Sequence, residues 1–274
     1  MPENAFFADR RPGEIGLALF LNAGDPPLSV LPDLLRALDE SEVDCVELAV
    51  PFPDSITDGP VIRRSADRAL ADGTDLAEVL KCLDTVRGEL RHTKIALLAD
   101  WSHTVRPLGL AEFVATAADA AVDGLLVHGL PPRVRWAYRE AAAAAGMPIV
   151  ATCYPKSAQA VLAESAATAS AYLYLVAHYG RTGSAPPDGF AQLGAVIDDL
   201  RTRTSAPIAV GFGVRGPSEV AALARAGADA AVVGSAAVAV VERAAEDRRD
   251  VVADLAEFVA MLKSINPTTP RSAK

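Results

Sequence analysis

Cysteine is scarce. The chain has three, Cys45, Cys82 and Cys153, far apart and without a CxxC pair. An odd, scattered set excludes a disulfide framework and a zinc ribbon, and fits a reducing cytoplasm. Histidine is equally sparse: the 4 in the chain include no pair at metal-ligand spacing, so no metal site is expected. Positive charge is short too. Lys+Arg 26 against Asp+Glu 35 gives a formal charge of -9, and no basic cluster offsets it, which argues against nucleic-acid or anionic-membrane binding. Apolar runs such as IALLA and AAAAA break well before bilayer length, and the N-terminal MPENAFFADRRPGEIG lacks the apolar core of an export signal. What is abundant is core material. Hydrophobic residues make up 51% and charged residues 22%, the balance of a soluble globular protein.

Short apolar runs recur along the chain: IGLALFL (15–21), DCVELAV (44–50), KIALLA (94–99), DGLLVH (123–128), PIVATC (148–153), AYLYLV (171–176), PIAVGF (207–212) and DAAVVG (229–234). Each is bounded by Gly, Pro, Asp or Asn, and the intervals hold helical patterns such as 31–41, 110–121 and 219–228. Consecutive apolar positions suit parallel strands covered on both faces. Eight such repeats predict a (β/α)8 TIM barrel, an α/β fold in a single domain over 1–264, followed by a disordered tail over 265–274. The alternative is a doubly wound sheet, but the first strand-to-helix turn, NAGDPP, is not the GxGxxG of a dinucleotide fold.

Barrel chemistry belongs at the C-terminal ends of strands, which directs the search. Glu47 lies inside the apolar string CVELAVPF, on the same face as Cys45 and Ala49. If that face is the interior, desolvation raises its pKa and makes it a proton shuttle; the alternative is a structural partner of a buried Lys or Arg. In the loop PFPDSITDGP, Asp54 and Asp58 compete for a second carboxylate role, and either could instead cap the helix that begins near Val61. The last three loops carry glycine clusters, among them Gly211, Gly213, Gly234 and Ser235, whose backbone N–H groups suit a phosphate. His128 ends strand four and His178 follows strand six, so both could face the mouth. Tyr172 and Tyr174 share a face, as core packing or as ligand contacts, and Phe20 and Phe212 end strands one and seven where they could clamp a flat ring.

The segment VELAVPFPDSITDGPVI resembles the second-strand signature of the tryptophan synthase α subunit family. LFLNAGDP, YGRTG, GFGV and VVGSA resemble that family's markers in loops one, six, seven and eight, in the same order, so the likeness runs from Ile15 to Val240. It implies a cytoplasmic lyase that cleaves indole-3-glycerol phosphate, without a cofactor, to indole and glyceraldehyde 3-phosphate in tryptophan biosynthesis. By position, Glu47 is then the general acid/base and Asp58 the carboxylate on the indole N–H. Tyr174 and Phe20 flank the substrate, Thr182 and Gly183 belong to the closing loop six, and Gly183, Phe212, Gly213, Gly234 and Ser235 form the phosphate cradle.

The chain departs from the family around that site. Gly129, in HGLP, stands where the family has an aspartate; Asp100, Trp101 and Ser102 replace a tyrosine/asparagine stretch; Ser55 replaces a common proline, Arg63 a common glutamine and His178 a common arginine. The catalytic pair is kept, while the residues through which the family couples to its β subunit are altered. The expectation is a lyase with a small phosphate substrate and weak coupling to a β-type partner. Two other readings stand beside it: a non-catalytic regulatory partner of a β-type subunit, and a barrel lyase or isomerase on another organophosphate.

Overall fold

The computed structural model describes residues 6–7, 14–120, 122–177, 190 and 192–264. The expected positions Thr182, Gly183 and His178, and the tail 265–274, lie outside these residues. Eight strands form: β1 (Gly16–Asn22), β2 (Cys45–Ala49), β3 (Lys94–Asp100), β4 (Gly124–His128), β5 (Val150–Cys153), β6 (Tyr172–Val176), β7 (Ile208–Gly211) and β8 (Ala230–Val233). Each falls on one of the apolar runs. The sheet order is β4-β3-β2-β1-β8-β7-β6-β5, all ladders parallel. The remaining seam, β4 to β5, is held by the bridge Leu125↔Ile149 and the Leu125 N–H to Pro148 C=O bond at 2.9 Å, so the sheet is a (β/α)8 barrel and not an open doubly wound one.

The helices follow from spacing and caps. In Leu31–Glu40, Leu31, Leu34, Leu35 and Leu38 recur at helical intervals and are the buried stripe. Asp75 caps Leu76–Val86 by accepting the Glu78 N–H at 3.0 Å, and Pro60 and Pro217 open their helices, where a missing N–H is harmless.

Strand alternation divides the core in two. Leu17, Leu19, Leu21, Val46, Leu48, Ile95 and Leu97 point outward to the helices. Inside the barrel, Ala18, Cys45, Ala96, Ala209 and Ala230 are small and leave space that aromatic rings fill. Tyr172 is fully buried there, with the Phe6 and Phe7 rings 5.4 and 5.3 Å from its own at the N-terminal ends of the strands. These two phenylalanines close the bottom of the barrel. Phe6→Ala is expected to cost about 3–5 kcal/mol, the usual range for an aromatic lost from a close-packed core. Urea unfolding should show it as a lower midpoint at unchanged slope, and a loss below about 0.5 kcal/mol, the range of ordinary surface changes, would remove Phe6 from the core.

Candidate active site

β2 brings Glu47 into the barrel interior, where it is 1% exposed. Its partner is neither Lys nor Arg. The Tyr172 hydroxyl donates to Glu47 Oε1 at 2.6 Å, from β6, four strands round the ring and therefore opposite β2. Burial lifts the Glu47 pKa from 4.5 to about 7, against the smaller downward pull of the tyrosine hydrogen bond.

After β2 the chain turns through Asp54, whose backbone is left-handed at φ 57° and whose side chain is exposed. Asp58 is the better covered of the two. Helix Pro60–Ala71 has Gly59 at its N-cap with no side-chain cap bond, so the helix-cap alternative for Asp58 does not hold. Its Oδ2 accepts from Ser55 Oγ at 2.7 Å. Burial raises the Asp58 pKa, while the Ser55 bond and the charges of His128 and Arg63 oppose the rise. Ser55 thus supplies a donor to this carboxylate.

The helix that follows Asp58 is fixed from β1. Asn22, buried at the end of that strand, donates through Nδ2 to Ile62 C=O at 3.1 Å and to Ser65 Oγ at 3.0 Å. Arg68 of the same helix reaches Asp25 at 2.7 Å and Glu242 at 2.8 Å, and Arg64 also pairs with Glu242. Glu242 belongs to the helix Ser235–Glu246, so the elements after β1, β2 and β8 are tied together.

A cavity opens at the C-terminal ends of the strands. Its walls are Phe20, Leu98, Leu126, Tyr174, Phe212 and Val232, with Glu47 at the base, Asp58 at the side and Gly213, Gly234 and Ser235 at the far rim. The described residues expected at the site therefore come together. Phe212 and Gly213 are both left-handed, at φ 73° and 88°, which carries the chain around the rim after β7. Gly234 is the uncapped N-cap of Ser235–Glu246, leaving that helix's first N–H groups without a side-chain partner at the cap.

One glycine was misread. Gly211 does not line the cavity; a Cβ there would collide with the Tyr174 hydroxyl and ring, so its absence makes room for that side chain. Several contacts around the site carried no signal in the sequence. Tyr172 bonds a residue 125 positions away, and Phe52 stacks with two imidazoles, His128 at 5.7 Å and His103 at 6.0 Å. Of the two histidines, His128 lines the cavity. Among the described residues no group of three or more metal-ligating side chains occurs.

Polar groups at the C-terminal mouth and packed side chains below define the class: a (β/α)8-barrel scaffold with a polar pocket at that mouth. Known proteins narrow the class to a family. The family model described as tryptophan synthase alpha chain matches residues 6–266. The tryptophan synthase alpha chain of Burkholderia pseudomallei (strain 1106a) is 37% identical over 262 residues, 96% of this chain and 95% of that protein. Among solved structures, tryptophan synthase subunit alpha from Legionella pneumophila str. Paris superposes with a TM-score of 0.81 at 25% identity, covering 91% of both chains. A chain of the tryptophan synthase complex from Pyrococcus furiosus does so with a TM-score of 0.79 at 30% identity, covering 91% of this chain and 98% of that one. The chain belongs to the tryptophan synthase alpha chain family.

The Glu47 shift makes a stability prediction. Between pH 4.5 and about 7 the folded state keeps a proton that the unfolded state has released, so stability falls as pH rises through that window and is flat above it. Glu47→Gln keeps an acceptor for Tyr172 and cannot ionise. Equal to the native chain at pH 4, the variant is expected to be more stable at pH 8 by roughly 3 kcal/mol. Denaturant titrations of both proteins at the two pH values test this, and a pH-independent difference would mean that Glu47 is not a buried titrating group.

Proposed function

We propose that the chain is a carbon–carbon lyase cleaving indole-3-glycerol phosphate to indole and glyceraldehyde 3-phosphate, with Glu47 as acid and base. The observation that carries this reading is a carboxyl buried at the base of an apolar slot with a pKa of about 7, beside a second carboxyl at the slot's side. A group at that pKa is close to equally able to give and to take a proton in neutral solution.

The chemistry is proton bookkeeping around one bond. Protonated Glu47 delivers its proton to C3 of the indole, and the ring becomes an indolenine cation with its charge on nitrogen. Asp58 accepts the N–H hydrogen bond and stabilises that charge electrostatically. The Glu47 carboxylate next removes the proton of the adjacent side-chain hydroxyl. A carbonyl forms at that carbon, the C–C bond breaks, and its electron pair flows back to the ring nitrogen, regenerating neutral indole. Glu47 ends protonated, as it began. Phe20 and Tyr174 hold the ring, while Phe212, Gly213, Gly234 and Ser235 receive the phosphate end. Backbone N–H groups at the start of Ser235–Glu246 suit an anion there.

Glu47→Gln is expected to lower indole release at least about 100-fold, and Asp58→Asn is expected to impair it severely, because the amide removes the charge that balances the cation. Assays of indole formed from indole-3-glycerol phosphate decide both. Turnover near the native rate in Glu47→Gln would sink the assignment.

The small phosphate substrate is common to this reading. The Pyrococcus complex gives the family precedent for a tryptophan synthase assembly, and the finer proposal for this chain is that a β-type subunit binds with little effect on the lyase rate. Ser55 already holds Asp58 within loop two, so less ordering is left for a partner to supply. Titrating a β subunit from the same source is expected to raise the rate by less than about tenfold. A larger rise, more than roughly 1.4 kcal/mol of transition-state stabilisation, would show that the partner still sets the loop.

A further inference from the structure

Indole has one hydrogen-bonding group, its N–H, and the reading above assigns that group to Asp58. The slot nevertheless carries more polar side chains than such a ring can use. His128 ends β4 and Thr152 lies in β5, and both line the cavity. The bridge Leu125↔Ile149 sets these strands in register, three residues before each, so His128 and Thr152 stand at one level on neighbouring strands. Their side chains face inward, two residues beyond Leu126 and Val150 of the interior cluster. Among the described residues neither the His128 imidazole nor the Thr152 hydroxyl has a hydrogen-bond partner; His128 has only its stack on Phe52 and its charge on Asp58.

Pressing a plain benzo ring against two unpartnered polar groups would remove water and return nothing. A ring with its own hydrogen-bonding substituent at that edge would satisfy both. We infer that His128 and Thr152 are specificity-determining residues that select an indole carrying a hydroxyl, or a group of like hydrogen-bonding capacity, on its benzo ring. Imidazole and hydroxyl can each donate or accept, so a hydroxyl can bridge them.

This inference rests on the proposed lyase reading and is tested through the reverse condensation. There, C3 of the indole adds to the aldehyde carbon of glyceraldehyde 3-phosphate, the aldehyde oxygen gains a proton and C3 loses one. The native chain is assayed with indole and with 4-, 5-, 6- and 7-hydroxyindole, each beside the methylindole of matching position. The expected result is a kcat/KM at least about tenfold higher for the hydroxyl than for the methyl compound at one or more ring positions. In His128→Ala/Thr152→Val that ratio should fall towards one. Condensation of indole without any hydroxyl preference, or with a preference that survives in the double variant, overturns the inference and leaves the lyase reading standing. Failure of every indole to condense overturns both. The ratio in the native chain is decisive by itself should the double variant not fold.

Discussion

A carboxyl group placed at the centre of a barrel is the constraint around which the rest of this molecule is arranged. An ionised Glu47 surrounded by hydrocarbon would be very costly, and the fold's answer is a neutral acid with one phenol donor. That donor has to cross the barrel from β6. It can do so only because the layer between is built of Ala18, Cys45, Ala96, Ala209 and Ala230, side chains too small to fill the space themselves. Phe6 and Phe7 then close the floor against Tyr172. Water admitted from below would solvate the carboxylate and draw its pKa back towards that of an ordinary glutamate. Packing at the bottom of the barrel and proton chemistry at its middle are therefore a single problem.

The second carboxylate is held by different means. Asp58 lies in a loop, where position depends on what anchors the two ends. β2 fixes one end; the other is helix Pro60–Ala71, pinned by Asn22 and by the Asp25, Arg68, Glu242 and Arg64 network. Arg64 and Arg68 are 53% and 40% exposed, so solvent screens these ion pairs and their energetic contribution is small. Their effect is geometric. They set three neighbouring βα units in one relative position, and with them the distance from Asp58 to the rim at Gly234 and Ser235.

The barrel was legible because parallel strands buried on both faces are apolar on successive positions, a pattern few other structures need. All eight runs became strands, with ends moved by a residue or two, as with DCVELAV, which is a strand over Cys45–Ala49. Glu47 was legible for the same reason, as a carboxylate in the middle of an apolar strand. Contacts across the barrel were not. Nothing in the sequence links Tyr172 to Glu47, since strand alternation gives the face and not the partner on the far side. Nor could spacing choose between Asp54 and Asp58, which differ in cover and in the Ser55 bond, both products of how the loop turns. Gly211 misled because glycine in a late loop suggests an anion, whereas here it clears a path for the Tyr174 ring.

Gly129 looks in the sequence like a simple loss, a missing aspartate after β4, and its surroundings give it another meaning. Its backbone is left-handed at φ 67°, and a Cβ there would stand 3.4 Å from Asp100 Oδ2. Asp100, at the end of β3, is in register with His128 and accepts from the N–H groups of Ser102 and His103 and pairs with His103 Nδ1 at 2.7 Å. That pairing sets the His103 ring, which stacks on Phe52 of loop two, and His128 stacks on the same phenylalanine. A side chain at 129 would be strained by its backbone and would come into contact with Asp100. The glycine, Asp100, His103 and His128 therefore form one cluster: loop four yields space, loop three puts a carboxylate beside it, and both loops bear on the phenylalanine that precedes Asp58. An aspartate at 129 would set like charge against Asp100 within the same few ångströms, so this position and its neighbours depend on one another.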